Sequence, residues 1–258
     1  ASRTGALTGN GPTQPVGDAV APAFLGSASV YAVTDPSWDI ACTGDFDGDG
    51  TTDLVWRNSG TPDYLGWNLV WFMNRTTVTS WAPLPTVTDP AWRMAACGDI
   101  NGDGWPDIVW RNTETPGWVG VNIVWYLTGT TLAGFDYLYT VPDPSWRIAG
   151  MADFNGDGHQ DLLWRSYGGM SSGMNVVWYM NGASPIGYGH LPDAPDTTWE
   201  IEGAGDYNFD GWPDLVWRNY GTGGDSGANV IWYMQGMNLL NQVALPSEPD
   251  LTWRMRLR

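Results

Sequence analysis

Lysine is absent from the 258 residues; all eleven cations are arginine. A P-loop, a Schiff-base lysine and a Ser/Lys dyad are thereby excluded. Histidine is nearly absent as well: His159 and His190 are the whole supply, which argues against a poly-histidine zinc site or paired-histidine acid–base chemistry. Two cysteines, Cys42 and Cys97, are too few for a disulfide scaffold, although they suffice for one bond in an oxidising compartment. No run of about 18 apolar residues occurs, so no helix of this chain is expected to cross a bilayer. Positive charge is scarce: 11 cations against 28 carboxylates leave a net charge of −17. That is the wrong sign for a phosphate backbone or an anionic membrane, and nucleic acid is not expected as a partner. Residues 1–25 lack the charged-then-apolar order of a signal peptide and are expected to open a mature chain.

What the chain has in abundance is aromatic side chains, 14% of residues with 18 tryptophans, against only 15% charged residues. Such a composition excludes disorder for the bulk of it. The tryptophans also mark a repeat. Trp38, Trp92, Trp146, Trp199 and Trp253 are spaced by 54, 54, 53 and 54 residues, so the chain is a tandem array.

Each complete unit reads as four short strands. Strand one runs from the marker Trp to an Asp-rich loop (146–152 in the third unit). Strand two follows the loop (54–57, 215–218). Strand three opens with Asn (68–73, 122–127, 175–180, 229–234), and strand four is the loosest (185–190). β-Branched and aromatic content with Gly, Asn, Asp and Pro punctuation favours strand over helix. Strand three is apolar at nearly every position, which requires cover on both faces. Four strands in a period near 50, each sheet packed between similar sheets, predict an all-β fold: a β-propeller of four-stranded antiparallel blades.

One domain spanning residues 1–258 is expected, with blades at 38–91, 92–145, 146–198 and 199–252. The remainder at each end is complementary. A shift by one period sets Arg3 opposite Arg57 and residues 34–36 opposite 88–90. Residues 1–37 and 253–258 are therefore expected to form a fifth blade closed by both termini, which would cover otherwise sticky sheet edges.

The loops between strands one and two carry oxygen donors at fixed positions 1, 3, 5 and 9. They are Asp45, Asp47, Asp49 and Asp53; Asp99, Asn101, Asp103 and Asp107; Asp153, Asn155, Asp157 and Asp161; and Asp206, Asn208, Asp210 and Asp214. Position 7, occupied by Thr51, Trp105, His159 and Trp212, offers its carbonyl. Hard oxygens converging from a tight loop with Gly at position 6 suit Ca²⁺, and four sites are expected, one in each complete repeat. An EF-hand would need Glu at position 12; here that position is Trp56, Trp110, Trp164 and Trp217. Asx-turns alone would explain the Asp and Asn residues as turn formers, but turns do not need several convergent carboxylates. The loops hold 13 of the 28 carboxylates, so the rest of the chain is nearly balanced at −4. Like charges so close together raise carboxylate pKa values, and a bound cation would relieve them.

These loops, followed by an apolar strand, resemble the FG-GAP/VCBS repeat of the integrin α-chain propeller and of many extracellular proteins and lectins. The Trp-Arg-Asn and Asn-Val-Val-Trp-Tyr-Met elements further resemble a Trp-rich subgroup in secreted bacterial proteins. The resemblance implies calcium-stabilised blades, a secreted or extracellular location and an adhesive or glycan-binding role. Members usually have seven blades, whereas this chain supplies about five, and Phe209 replaces the glycine found at position 4 of the other loops.

Recurring Arg57, Arg111, Arg165 and Arg218, with Asn68, Asn122, Asn175 and Asn229, are expected to do a structural job between blades, because they appear in every unit. Ligand binding is expected where the frame varies. Trp67 and Trp118, with Trp105 and Trp212, offer flat faces to sugar rings; the plainer alternative is that they pack between blades. The expected function is a calcium-stabilised, non-catalytic, lectin-like module with glycans or extracellular proteins as partners. The alternative is an assembly module of an extracellular polymer, self-associating through donated terminal strands. A polysaccharide-degrading enzyme has the least support, since Asp63, Glu114, Glu200, Glu202 and Asp225 sit in no recognisable motif.

Overall fold

The computed structural model describes residues 28–60 and 63–255. Among the described residues, sixteen strands form four separate antiparallel sheets. Blade 1 contains β1 (Trp38–Gly44), β2 (Asp53–Asn58), β3 (Asn68–Asn74) and β4 (Thr77–Leu84). Blade 2 contains β5 (Trp92–Gly98), β6 (Asp107–Asn112), β7 (Asn122–Thr128) and β8 (Thr131–Leu138). Blade 3 contains β9 (Trp146–Ala152), β10 (Asp161–Ser166), β11 (Asn175–Asn181) and β12 (Ser184–Leu191). Blade 4 contains β13 (Trp199–Gly205), β14 (Asp214–Asn219), β15 (Asn229–Gln235) and β16 (Asn238–Leu245). Strand order follows chain order in every sheet, so each blade is a meander. One turn of 3₁₀ helix, Gly169–Ser171, interrupts the pattern.

The marker strands pack on one another: β1 against β5, β5 against β9, β9 against β13. They line the centre of a four-bladed β-propeller, and the blades radiate from them. Both faces of every second strand are therefore covered, and β2, β6, β10 and β14 are buried at all six positions. Between blades 1 and 2, Cys42, Val55 and Val70 meet Met94, Ile108 and Trp110. Equivalent clusters join blades 2 and 3, and blades 3 and 4.

Cover thins outward. β3 and β7 alternate buried and half-buried positions, and the fourth strands are mostly exposed. Strand three is less enclosed than its apolar sequence suggests, because radiating blades diverge as they leave the axis.

Two further clusters lie on the outermost blade faces. Ile40, Leu54 and Trp56 of blade 1 pack with Val30 and Val33. Val216, Ile231 and Tyr233 of blade 4 pack with Leu245 and Met255. Among the described residues β13 and β1 share no contact comparable to those between consecutive inner strands. The expected closing blade falls largely on 1–27 and 256–258, outside the described residues; its described parts, 28–37 and 253–255, carry no strand. They do sit at both open faces. Tyr31 meets Trp71 of blade 1 edge to face at 6.1 Å, and Arg254 lies 3.8 Å over the Tyr220 ring of blade 4.

Cys42 and Cys97 form a disulfide between β1 and β5, with Cα atoms 5.8 Å apart, within the ordinary span of such bonds. The sequence alone left this pairing open.

Candidate metal centres

In the first acidic loop, residues 45–52, the chain reverses tightly between β1 and β2. Gly48 and Gly50 adopt φ of 75° and 83°, a region that glycine enters without steric cost. Asp45 organises the turn. Its Oδ1 accepts the N–H groups of Gly48 (2.8 Å) and Asp49 (3.1 Å), and its Oδ2 accepts that of Gly50 (2.8 Å). Asp47 accepts the N–H of Asp49 at 3.2 Å, and Asp49 accepts that of Thr51 at 2.7 Å.

The result is a crowd of like charges. Carboxylate oxygens of Asp45, Asp47 and Asp49 lie within 4.8 Å of one another. The ion pairs among the described residues, Arg93 with Glu114 and Arg254 with Glu200, lie elsewhere. A hard-oxygen donor set with partly exposed charges and no cation beside it fits a hard divalent ion, and it fits Ca²⁺ best, which accepts six to eight oxygens in flexible geometry.

The other three loops repeat the turn with one change. Asn101, Asn155 and Asn208 stand where loop 1 has Asp47, and each amide donates to the position-5 carboxylate, at 3.0, 2.9 and 2.9 Å. Loops 2 to 4 thus relieve part of their own repulsion, and loop 1 does not. Phe209 holds φ of 63°, the left-handed conformation of the glycines it replaces, and Asp206 still accepts from Asp210 (3.1 Å) and Gly211 (2.9 Å). The fourth loop therefore keeps the turn despite the substitution.

Position 9 behaves differently from the other donors. Asp53 is fully buried; its Oδ2 accepts the N–H of Phe46 at 2.8 Å and its Oδ1 that of Met73 on β3 at 2.9 Å. Asp107, Asp161 and Asp214 make the same pair of bonds. Each is a bolt fixing the loop to the third strand of its own blade. Burial pushes all four carboxyls up to about 6, against the lowering effect of the two N–H donors. At position 7 the N–H groups of Thr51, Trp105, His159 and Trp212 donate to the position-5 carboxylates.

The recurrent arginines staple neighbouring blades. Arg165 donates to Asn175 Oδ1 (2.9 Å), to the carbonyls of Ala194 (2.9 Å) and Asp196 (3.1 Å), and lies 4.8 Å from the centre of the Trp217 ring in the next blade. Arg57 and Arg111 do likewise over Trp110 and Trp164. Burial lowers Arg57 and Arg111 to about 10, so both stay charged at neutral pH. The structural role expected of these residues is the one the packing displays.

The four candidate ligand-binding tryptophans do not converge. In a meander the loops joining strands one and two emerge at one end of a blade, and those joining strands two and three at the other. Trp105 and Trp212 belong to the first end and are half-buried: a Cβ on Gly48 would stand 3.4 Å from the Trp105 ring, so that ring covers the preceding acidic loop. Trp67 and Trp118 belong to the second end and are each 43% exposed. Tyr64 meets Trp67 edge to face at 5.3 Å, and Trp118 stands 5.9 Å from Trp92. Missed in the sequence are the exposed rings of the fourth strands, among them Trp81, Phe135, Tyr137 and Tyr188. The alternation of Phe135, Tyr137 and Tyr139 was the available signal.

A family model described as an FG-GAP-like repeat matches residues 45–110 and 153–217, just over half of the chain. Each segment runs from one acidic loop through the next to a second strand, so the two include all four loops. No curated protein matches the chain. Among solved structures, a chain in a crystal structure of a nidogen/laminin complex is similar, with 13% identity and a TM-score of 0.43; the match covers 79% of this chain and 62% of that one. On its matched repeats, this chain belongs to the FG-GAP-like repeat family.

Proposed function

We propose that the chain is a calcium-stabilised, non-catalytic extracellular module that binds carbohydrate. The observation that carries this reading is the set of exposed aromatic rings, with Trp67 and Trp118 on the loops before the third strands and Trp81, Phe135 and Tyr137 on the fourth strands, in blades whose second strands are fully buried. Aromatic faces with a polar handle suit the C–H faces and hydroxyl rims of sugars, and a rigid frame lowers the entropic cost of binding. Asp45, Asp47 and Asp49, with their counterparts in the other loops, would hold calcium, which supplies the positive charge that these turns lack. The Cys42–Cys97 bond suits an oxidising, extracellular compartment. A glycan array probed with calcium-loaded protein tests the reading: binding to a coherent set of sugars supports it, and uniform silence from folded protein contradicts it.

The assembly alternative has its own observation, the separate apolar clusters on the outermost faces of blades 1 and 4. It predicts concentration-dependent oligomers in sedimentation that vanish when residues 1–33 are removed. A monomer at all concentrations would remove it.

A further inference from the structure

An asparagine followed by glycine is the dipeptide most prone to lose its side-chain amide, because the attacking glycine nitrogen carries no Cβ on its own residue to obstruct it. Loops 2 and 3 hold this dipeptide at positions 3 and 4, as Asn101-Gly102 and Asn155-Gly156; loop 4 has Asn208-Phe209 there, and loop 1 has Asp47-Gly48. Among the described residues it occurs once more, as Asn181-Gly182 in the turn between β11 and β12, where residues 181–184 include no carboxylate.

The fold gives loops 2 and 3 three aids to that attack. The N–H of Gly102 donates to Asp99 Oδ1 and that of Gly156 to Asp153 Oδ1, both at 2.7 Å, so the nitrogen that must shed its proton already shares it with a carboxylate. The side-chain carbonyl oxygens of Asn101 and Asn155 accept the N–H groups of Asp103 and Asp157 at 2.8 and 2.9 Å, which sets a donor on the oxygen that becomes negative. The amides that would depart are held as well, donating to Asp103 Oδ2 at 3.0 Å and Asp157 Oδ2 at 2.9 Å. Gly102 and Gly156 are exposed, so water reaches both.

We propose that Asn101 and Asn155 are sites of self-catalysed deamidation, a one-way modification that carries loops 2 and 3 toward the composition of loop 1. The glycine nitrogen forms a bond to the asparagine Cγ while its proton passes to the position-1 carboxylate. The Cγ–Nδ2 bond then breaks, and Nδ2 takes up that proton and leaves as ammonia. Water opens the five-membered imide, so one water is consumed, one ammonia is released and nothing is oxidised or reduced. Opening at the new N–Cγ bond yields aspartate, which the turn accommodates: in loop 1 Gly48 has φ of 75°, against 77° and 75° for Gly102 and Gly156, and Asp47 accepts the N–H of Asp49 at 3.2 Å. Opening on the other side yields isoaspartate, which lengthens the backbone and does not match the turn. Either product adds a negative charge and removes an amide donor, so a converted loop depends on a cation as loop 1 does. The inference is independent of the carbohydrate reading.

Peptide mass spectrometry of the folded protein, held in chelator at neutral pH and sampled over time, tests the proposal. Asn101 and Asn155 should convert at least about tenfold faster than Asn181, which lacks the carboxylate, and than Asn208, which lacks the glycine. Both should also convert faster in the folded protein than in urea. Phe209→Gly completes the dipeptide in loop 4, where Asn208 Oδ1 already accepts the N–H of Asp210 at 2.9 Å and the backbone already holds φ of 63°; it should bring Asn208 up to the rate of Asn101. Equal rates at Asn101, Asn155 and Asn181 would overturn the proposal, and so would conversion in the folded protein no faster than in urea.

Discussion

The bolt at position 9 is where single residues matter most. Asp53, Asp107, Asp161 and Asp214 are held by burial at about 6, above the ordinary value of 3.8. A carboxyl raised on folding binds protons more tightly in the folded state. Its contribution is therefore fully present below the unfolded value and is lost as pH rises through the folded one. In chelator, the Tm is expected to fall as pH rises from about 4 to about 6; a Tm that climbs across that window would contradict the assignment. The arginine staples give a second residue-level prediction. Arg165→Lys removes a fork that reaches two backbone carbonyls and Asn175 while lying on Trp217, and should cost about 2–3 kcal/mol in urea unfolding. Arg218→Lys should cost less, because Arg218 lies over Tyr220 of its own blade, 5.1 Å away, rather than over a tryptophan of a following one. Equal losses would mean that the ring contact contributes nothing.

At the scale of the element, the acidic loop is a turn that folds on its own hydrogen bonds and carries more negative charge than it can balance. Loop 1 is the extreme case, with Asp47 where the others have an amide. Asp47→Asn should raise the Tm measured in chelator and reduce the additional rise on adding calcium; a variant with unchanged calcium response would remove Asp47 from the ligand set. The loops and strands were readable because tryptophan, Asp-Gly and Asn recur at one period: β9 spans the predicted 146–152, and β15 extends the predicted 229–234 by one residue. Other features could not be read. The second hydrogen bond of Asp53 is accepted from the N–H of Met73, twenty residues away across the sheet, which no loop motif encodes. The contact of Tyr139 with Trp178 of the following blade likewise depends on which strands the fold sets side by side. Strand three looked enclosed because apolar residues were counted without the divergence of the blades. That Trp67 and Trp118 lie at the opposite end from Trp105 and Trp212 could not be read, because a linear repeat does not say which loops share an end.

For the whole molecule, stability rests on inter-blade contacts rather than on one central core, since three apolar clusters join consecutive blades. The Cys42–Cys97 bond spans 55 residues and constrains the unfolded chain across the first blade boundary. Its reduction should destabilise the protein by about 4 kcal/mol on the chain-entropy estimate; loss of less than about 1 kcal/mol would show that the boundary holds without it. The central claim is that cations complete the frame. At free calcium a hundredfold above the dissociation constant, each occupied loop adds about 2.7 kcal/mol, and a domain of this size gains about 2–4 °C per kcal/mol. Scanning calorimetry of the same preparation in calcium and in chelator is therefore the most direct measurement. The account predicts a Tm higher in calcium by more than about 5 °C, and an unchanged Tm would contradict it.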